Sequence, residues 1–326
     1  MDFELSEDQE ALRELVRAIV AGRFPLERIR RAEEADLVVD RDDWSALGEA
    51  GVFSLTVAED AGGAGLGMAD AAVVFEELGR GLVPGPLVTS HLAAGLLGSA
   101  PDGSTVVGDV RAPGPGTPCL VEHLFSLDAL VVRGDHPAVI DGDELTALVS
   151  SASAVERPLD PLTPMAVVPD LPTGRPLDVD STRAFERDHR ILTGALCVGM
   201  AAACCTLAVD YAKGRRQFGR PIGSFQAVKH LCADMLVRSE TARAAVQAAA
   251  VAVDQPGVGD AERMAAGGAL VAVEAAVQNA KTCIQVHGGM GFTWEVPAHL
   301  YLMRARTLWS SLGPTDDLTA LVAARF

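Results

Sequence analysis

RRQFGRPIGSFQAVKH, residues 215–230, is the stretch on which the reading of this chain turns. It carries Arg215, Arg216, Arg220 and Lys229 around a glycine-proline turn. No acid occurs from Tyr211 to His230, although the chain as a whole has 27 basic against 44 acidic residues and a formal charge of −17. Alanine-rich sequence at Ile191–Ala212 precedes it and Phe225–Val253 follows it, so the stretch reads as the break between two long helices. Free N–H groups at a helix start and arginine forks, which grip two oxygens at once, together suit an anionic ligand. The plainer reading is that these cations offset the dipole at a helix end, worth about 0.3–1 kcal/mol. The absence of acids favours the ligand.

Further out, Gln255-Pro256-Gly257 ends the second helical run, and a third follows at Ala261–Val286. In the second run Phe225, Val228, Cys232, Met235 and Leu236 share one face, whereas the first and third are apolar almost all round, as in the centre of a bundle or at an oligomer interface. After the third run comes Gln285-Val286-His287-Gly288-Gly289-Met290-Gly291-Phe292. Its glycines let a backbone approach a flat ligand closely, and Gln285 offers both a donor and an acceptor; an ordinary helix-ending turn uses glycine as well.

The earlier part of the chain has other textures. Ser6 and Gln9 form an S-x-x-Q capping box ahead of Leu12, Leu15, Val16, Ile19 and Val20 at helical spacing, and helical runs continue through 42–50, 68–82 and 87–97. From about Pro101 short β-branched runs take over at 105–107, 130–132, 138–140 and 165–168, with Asp141-Gly142-Asp143 as a hairpin-type turn. The expected fold is α+β, mainly α: an N-terminal helical domain over 1–104, a small β-domain over 105–183 and a C-terminal helix bundle over 184–326. Gly62-Gly63-Ala64-Gly65-Leu66-Gly67 lacks the last glycine and the strand context of a dinucleotide fingerprint and reads as a turn.

With 326 residues, 49% of them apolar, the chain can bury a large core. The acidic balance argues against nucleic acid or an anionic membrane as partner. No run of about 18 uninterrupted apolar residues is read here, and the first ten residues are acidic where a signal peptide is basic, so neither membrane insertion nor export is expected and the location is expected to be cytoplasmic. The six cysteines show no C-x-x-C spacing and read as small buried hydrophobes, with no metal site.

Taken together the motifs resemble the acyl-CoA dehydrogenase family. Residues 215–230 resemble its R-x-Q/T-F-G-x-x-I-x-x-F/H-Q-A motif, 285–292 its Q-x-x-G-G-x-G-F/Y loop, and 58–67 an N-terminal loop typical of it. The similarity covers 1–100 and 184–312 well and the middle poorly. It implies the helix–sheet–helix order, an FAD cofactor and an acyl-CoA substrate. By the same resemblance Arg215, Gln217, Phe218, Gln226, Gln285, Gly288 and Gly289 are FAD contacts, reaching across a subunit interface to the pyrophosphate of a neighbour's flavin.

Three family features are missing. The flavin-binding T-E-x-x-x-G-S-D loop of the middle domain is absent. Where the family's base, a glutamate in Y-E-G-T, would lie, the chain reads Ser311-Leu312-Gly313-Pro314-Thr315. The alternative position for a base, just before an arginine on the first long C-terminal helix, falls on His189 ahead of Arg190. Imidazole titrates in a suitable range, but a helix-start residue without a catalytic part is the plainer reading of His189. Asp316 and Asp317 read as caps of the last helix, and Glu295 and His287 as shapers of the glycine loop.

Some bacterial members of the family are α2β2 heterotetramers in which a shortened chain supplies cross-interface flavin contacts and its partner the base, on CoA thioesters as bulky as steroid side chains. This chain resembles that shortened type. A homo-oligomeric flavoenzyme using His189, and a non-catalytic acyl-CoA- or FAD-binding scaffold, are the other two readings.

Overall fold

The computed structural model describes residues 5–25, 27–29, 39–97, 102–114 and 116–324. The chain forms two compact units, each discontinuous in sequence: one from residues up to 26, 72–83 and 190 onward, the other from 27–71 and 84–189.

The first unit is helical. α1 (Glu7–Arg23) opens with the expected capping box, Gln9 N–H donating to Ser6 Oγ at 3.2 Å and Ser6 N–H to Gln9 Oε1 at 3.1 Å. The element α3 (Met68–Arg80) contributes its residues from 72 on, and α6 (Val179–Gly214) those from 190 on. α7 (Gln226–Asp254), α8 (Ala261–His287), α9 (Ala298–Ser311) and α10 (Thr315–Ala323) complete it. α3 and α6 cross where both show glycine. A Cβ on Gly199 would stand 1.8 Å from the Glu76 carbonyl oxygen and one on Gly79 2.1 Å from that of Leu196, so only hydrogen fits at either place.

Inside the bundle the fully buried Asn279 joins three helices. Its Nδ2 lies 3.1 Å from the Ala201 carbonyl on α6 and 2.9 Å from both the Met235 carbonyl and Ser239 Oγ on α7, and its Oδ1 accepts from Arg238 Nε at 2.8 Å. A buried amide without these partners would cost about 1–3 kcal/mol, so the network fixes the register of otherwise smooth alanine surfaces. An 18-residue window of α6 has a mean hydropathy of 2.0, which corrects the expectation that no segment is apolar enough to span a membrane; 83% of that window is buried inside the fold.

The second unit contains α2 (Arg41–Glu49), α4 (Leu87–Leu97), α5 (Gly142–Ser151), two small sheets and the first residues of α6. One sheet has the order β1 (Val107–Arg111), β3 (Ala129–Arg133), β4 (Ala138–Asp141), β7 (Arg175–Pro176). β1 and β3 run parallel, Val107 opposite Ala129, and the remaining pairs are antiparallel. The other sheet has the order β2 (Cys119–Glu122), β6 (Met165–Val168), β5 (Ser153–Ala154). Ala93, Val107, Ala129, Val131, Val139 and Phe185 form a buried cluster that ties α4 and α6 to the first sheet.

Three local expectations change. Asp141-Gly142-Asp143 is the entry to α5, with Asp141 as its N-cap residue, because Gly142 at φ 53 turns the chain out of β4 directly into helix. His189 is an interior residue of α6, which begins ten residues earlier at Val179, and does not start a helix. Asp316 and Asp317 lie in the first turn of α10 behind Pro314, which has no capping side-chain hydrogen bond, so their contribution is to the helix dipole.

Candidate functional site

The opening stretch folds into a minimal hairpin. α6 ends at Gly214, β8 (Arg216–Gln217) pairs antiparallel with β9 (Arg220–Pro221), and Phe218 at φ 50 with Gly219 at φ 78 makes the two-residue turn. Positive φ at both central positions is the type I′ geometry that suits the twist of a hairpin. Glycine takes it without strain; Phe218 does not, and its ring is 91% exposed. The ring contact described for it is edge-on with Phe225, centres 6.1 Å apart, and most of this bulky apolar residue in a left-handed backbone is still turned to water.

Around the turn Arg216 Nη2 donates to the Gly219 carbonyl at 2.9 Å, and the Arg220 guanidinium lies 4.1 Å from the centre of the Phe225 ring. Residues 215–220 are all exposed, and among the described residues no carboxylate pairs with Arg215, Arg216 or Arg220. Phe225 is the N-cap of α7 and makes no side-chain cap, so the first N–H groups of a 29-residue helix are left beside these guanidiniums. Gln226 is exposed, its Nε2 2.9 Å from His230 Nε2.

The glycine loop meets this hairpin at the same end of the bundle. His287, the last residue of α8, stacks on Tyr211 in the last turn of α6 with ring centres 4.2 Å apart, and the Tyr211 carbonyl accepts from Arg215 N–H at 2.8 Å. Arg215 and Gly288 are therefore one hydrogen bond and one ring stack apart. Neither Tyr211 nor the stacking of His287 was singled out in the sequence; an aromatic one turn before the first arginine was the available signal. Gln285, Gly288 and Gly289 are exposed. A Cβ at Gly288 or Gly289 would meet nothing within 4 Å, whereas one at Gly291 would fall 2.4 Å from the Ile284 carbonyl. Gly291 is required by the chain's own packing. Gly289 is not, and it leaves open backbone beside a cationic turn, a cradle that suits an anionic group such as the diphosphate of a dinucleotide.

The candidate proton-transfer residues have a different setting. Within the second unit His189, 4% exposed, directs Nε2 toward Asp109 Oδ1 at 3.6 Å. Asp109 also pairs with Arg133 at 2.6 Å and accepts from the Thr89 hydroxyl. Burial by itself would raise the Asp109 carboxyl, but Arg133, His189 and Thr89 more than offset that and hold it well below the usual carboxylate range. The carboxylate stays charged and the face of His189 toward it is occupied. Arg190, the next residue on α6, belongs with the other unit and donates to Glu262 at 3.4 Å. The two neighbours on α6 thus face different partners, and the structure does not join either of them to the hairpin. Leu312 is buried at the end of α9, and Gly313 follows at φ 91.

Comparison with known proteins places this geometry. Residues 6–100 match the acyl-CoA dehydrogenase N-terminal domain and residues 182–326 the acyl-CoA dehydrogenase C-terminal domain. Acyl-CoA dehydrogenase IpdE2 of Mycolicibacterium smegmatis is 36% identical over 96% of this chain and 97% of its own length. The chain belongs to the acyl-CoA dehydrogenase family. Both motifs of the bundle end fall inside the C-terminal match of this oxidoreductase family, and the two domain matches leave residues 101–181 between them. Acyl-CoA dehydrogenase FadE34 of Mycobacterium tuberculosis is also 36% identical, over 95% of this chain but only 46% of FadE34. Among solved structures, the acyl-CoA dehydrogenase fold recurs in the ChsE4-ChsE5 complex from Mycobacterium tuberculosis, with a TM-score of 0.85 and 23% identity over 99% of this chain and 98% of that one. Butyryl-CoA dehydrogenase from Megasphaera elsdenii gives 0.81 at 18% identity, covering 99% of each.

Proposed function

We propose that this chain is the shortened subunit of a two-chain, FAD-dependent acyl-CoA dehydrogenase, presenting its arginine hairpin and glycine loop to the diphosphate of a flavin housed mainly in a partner chain. The observation that carries this reading is the set of exposed guanidiniums at 215–220, without carboxylate partners among the described residues, tied through Tyr211 and His287 to the open glycine backbone at 288–289. Arg215 would hold diphosphate oxygen, Gly288 and Gly289 would admit the cofactor to their backbone, and Phe218 would shield it from water. When bound, FAD accepts hydride from the β-carbon of the acyl thioester.

The α-proton needs a carboxylate from the partner. Leu312 and Gly313 have no proton-accepting side chain, and Asp109 already occupies the near face of His189. That occupancy disfavours the homo-oligomeric alternative. Relatives support a pair: one solved neighbour is the ChsE4-ChsE5 complex, and another is the Tcur3481-Tcur3483 steroid acyl-CoA dehydrogenase. More than half of FadE34 lies outside its match to this chain, as a fused second moiety would. The substrate class that fits these relatives is a CoA thioester of a bulky acyl group such as a steroid side chain.

Expression alone and with a second acyl-CoA dehydrogenase-like chain tests the proposal. The chain alone should purify with little flavin, and the pair should hold FAD and dehydrogenate acyl-CoA. In the pair, Arg215→Ala should weaken FAD retention about tenfold or more, the loss of a charge-assisted phosphate contact. A homotetramer of this chain with stoichiometric flavin and turnover would reject it.

A further inference from the structure

Three helices of the bundle unit, α1, α3 and α7, line a cavity of about 560 Å³, room for a small organic molecule. Its floor is made of charge. Glu76 and Glu77 are neighbours on α3, Glu77 buried and Glu76 nearly so, and each is gripped from another helix. Arg17 on α1 holds Glu77 by two hydrogen bonds, Nε to Oε2 at 3.1 Å and Nη2 to Oε1 at 2.7 Å. Arg243 on α7 holds Glu76 in the same manner, Nε to Oε2 at 3.0 Å and Nη2 to Oε1 at 2.8 Å.

A third guanidinium, that of Arg80 on α3, reaches the same two carboxylates and finds them taken. Its Nε is 3.2 Å from Glu77 and its Nη2 3.7 Å from Glu76, yet the Nε, which is buried, has no hydrogen-bond partner among the described residues. Such an unmade bond costs about 1–3 kcal/mol. Two carboxylates thus serve three guanidiniums, a local surplus of positive charge in a chain of formal charge −17. Arg13 on α1 lines the cavity with its own Nε buried and unbonded, and Gln247 on α7 adds a carboxamide with no described partner. Glu10 and Glu240, the other two carboxylates of the lining, are half-exposed and paired with Arg13 and Arg243, where water screens them.

We propose that this cavity binds an oxyanion, the carboxylate or phosphate group of a small metabolite, held by Arg80 with Arg13 and Gln247. Guanidinium forks suit either group because both present paired oxygens. A cation has no free floor carboxylate to bind, and an apolar ligand would leave the buried N–H groups unpaired. No lining residue belongs to the hairpin or the glycine loop, so binding here requires neither flavin nor a partner chain.

Isothermal titration of the full chain with inorganic phosphate and, separately, with succinate, at constant ionic strength against a sodium chloride blank, is the test. Ala244→Phe serves as the reference: Ala244 is an exposed residue of the cavity wall, and a phenylalanine there fills the space while keeping every charge of the cavity and of the arginine hairpin. Wild type should bind one anion more than this reference, and the tighter of the two probes names the group. Arg80→Gln should weaken that extra binding about tenfold or more, with the circular dichroism spectrum unchanged because Arg17 and Arg243 still neutralise Glu77 and Glu76. Arg80→Lys, which keeps the charge and loses the fork, should recover part of it. No saturable binding of either probe beyond the chloride blank, or binding as tight in Ala244→Phe or Arg80→Gln as in wild type, overturns the proposal.

Discussion

His91 is a buried imidazole with both nitrogens engaged: Nδ1–H donates to the Val52 carbonyl at 2.9 Å, and Nε2 accepts from the Thr56 hydroxyl at 3.1 Å. Burial lowers its pKa to about 4, partly countered by the Val52 carbonyl. Between that value and the ordinary 6.5 the unfolded chain binds a proton that the folded one refuses, so stability is full above pH 6.5 and falls as pH drops toward 4. The full loss is on the order of 3 kcal/mol. Urea titrations across this window should show it, and His91→Leu should flatten it at a constant cost of about 1–3 kcal/mol for the carbonyl left unpaired. Nothing in the sequence around His91 announces this, because the Val52 carbonyl and Thr56 hydroxyl lie more than thirty residues away. Position 189 shows the same limit. The family resemblance points to His189 ahead of Arg190, but its environment depends on Asp109 and Arg133, whose strand positions in Val107–Arg111 and Ala129–Arg133 give no sign of a shared buried charge.

Helix crossings and turns set the next scale. Backbone contact at Gly79 and Gly199 leaves no room for even a methyl group, so Gly199→Ala must push α6 away from α3. The expected loss is about 3 kcal/mol or more, at the upper end for overpacking, and Gly267→Ala on α8, where the nearest atom is 3.7 Å away, is the tolerated comparison. Chemical denaturation of the two variants checks this. At the hairpin the sign reverses: Phe218→Gly relieves a positive φ and should cost no stability, or gain up to about 1 kcal/mol, while lowering FAD retention in the paired complex if the ring shields the cofactor. The long helices were legible because alanine-rich, helix-favouring sequence persists through most of their 27 to 36 residues. α5 was hidden by its own start, since Asp-Gly-Asp is also turn chemistry and ten residues give a periodic signal little length to accumulate. The parallel pairing of β1 with β3 was equally illegible: it depends on the excursion through β2 between them, which no local pattern records.

At the scale of the molecule, the exposed arginine hairpin of an otherwise acidic chain is the charge asymmetry on which the proposed partner would dock. A partner that binds only the folded chain stabilises it by mass action, about 2.7 kcal/mol at one hundred times the dissociation constant. Thermal melts should therefore rise with the concentration of the second acyl-CoA dehydrogenase-like chain and stay flat with an unrelated acidic protein. A melt indifferent to the partner would return the chain to the scaffold reading. Phe218, Phe292 and Trp294, at 91%, 84% and 61%, are the most exposed aromatic residues among those described. Left uncovered, such rings invite chaperones, proteases and clumping, so the proposed two-chain assembly would gain from synthesis of both chains side by side and in equal number.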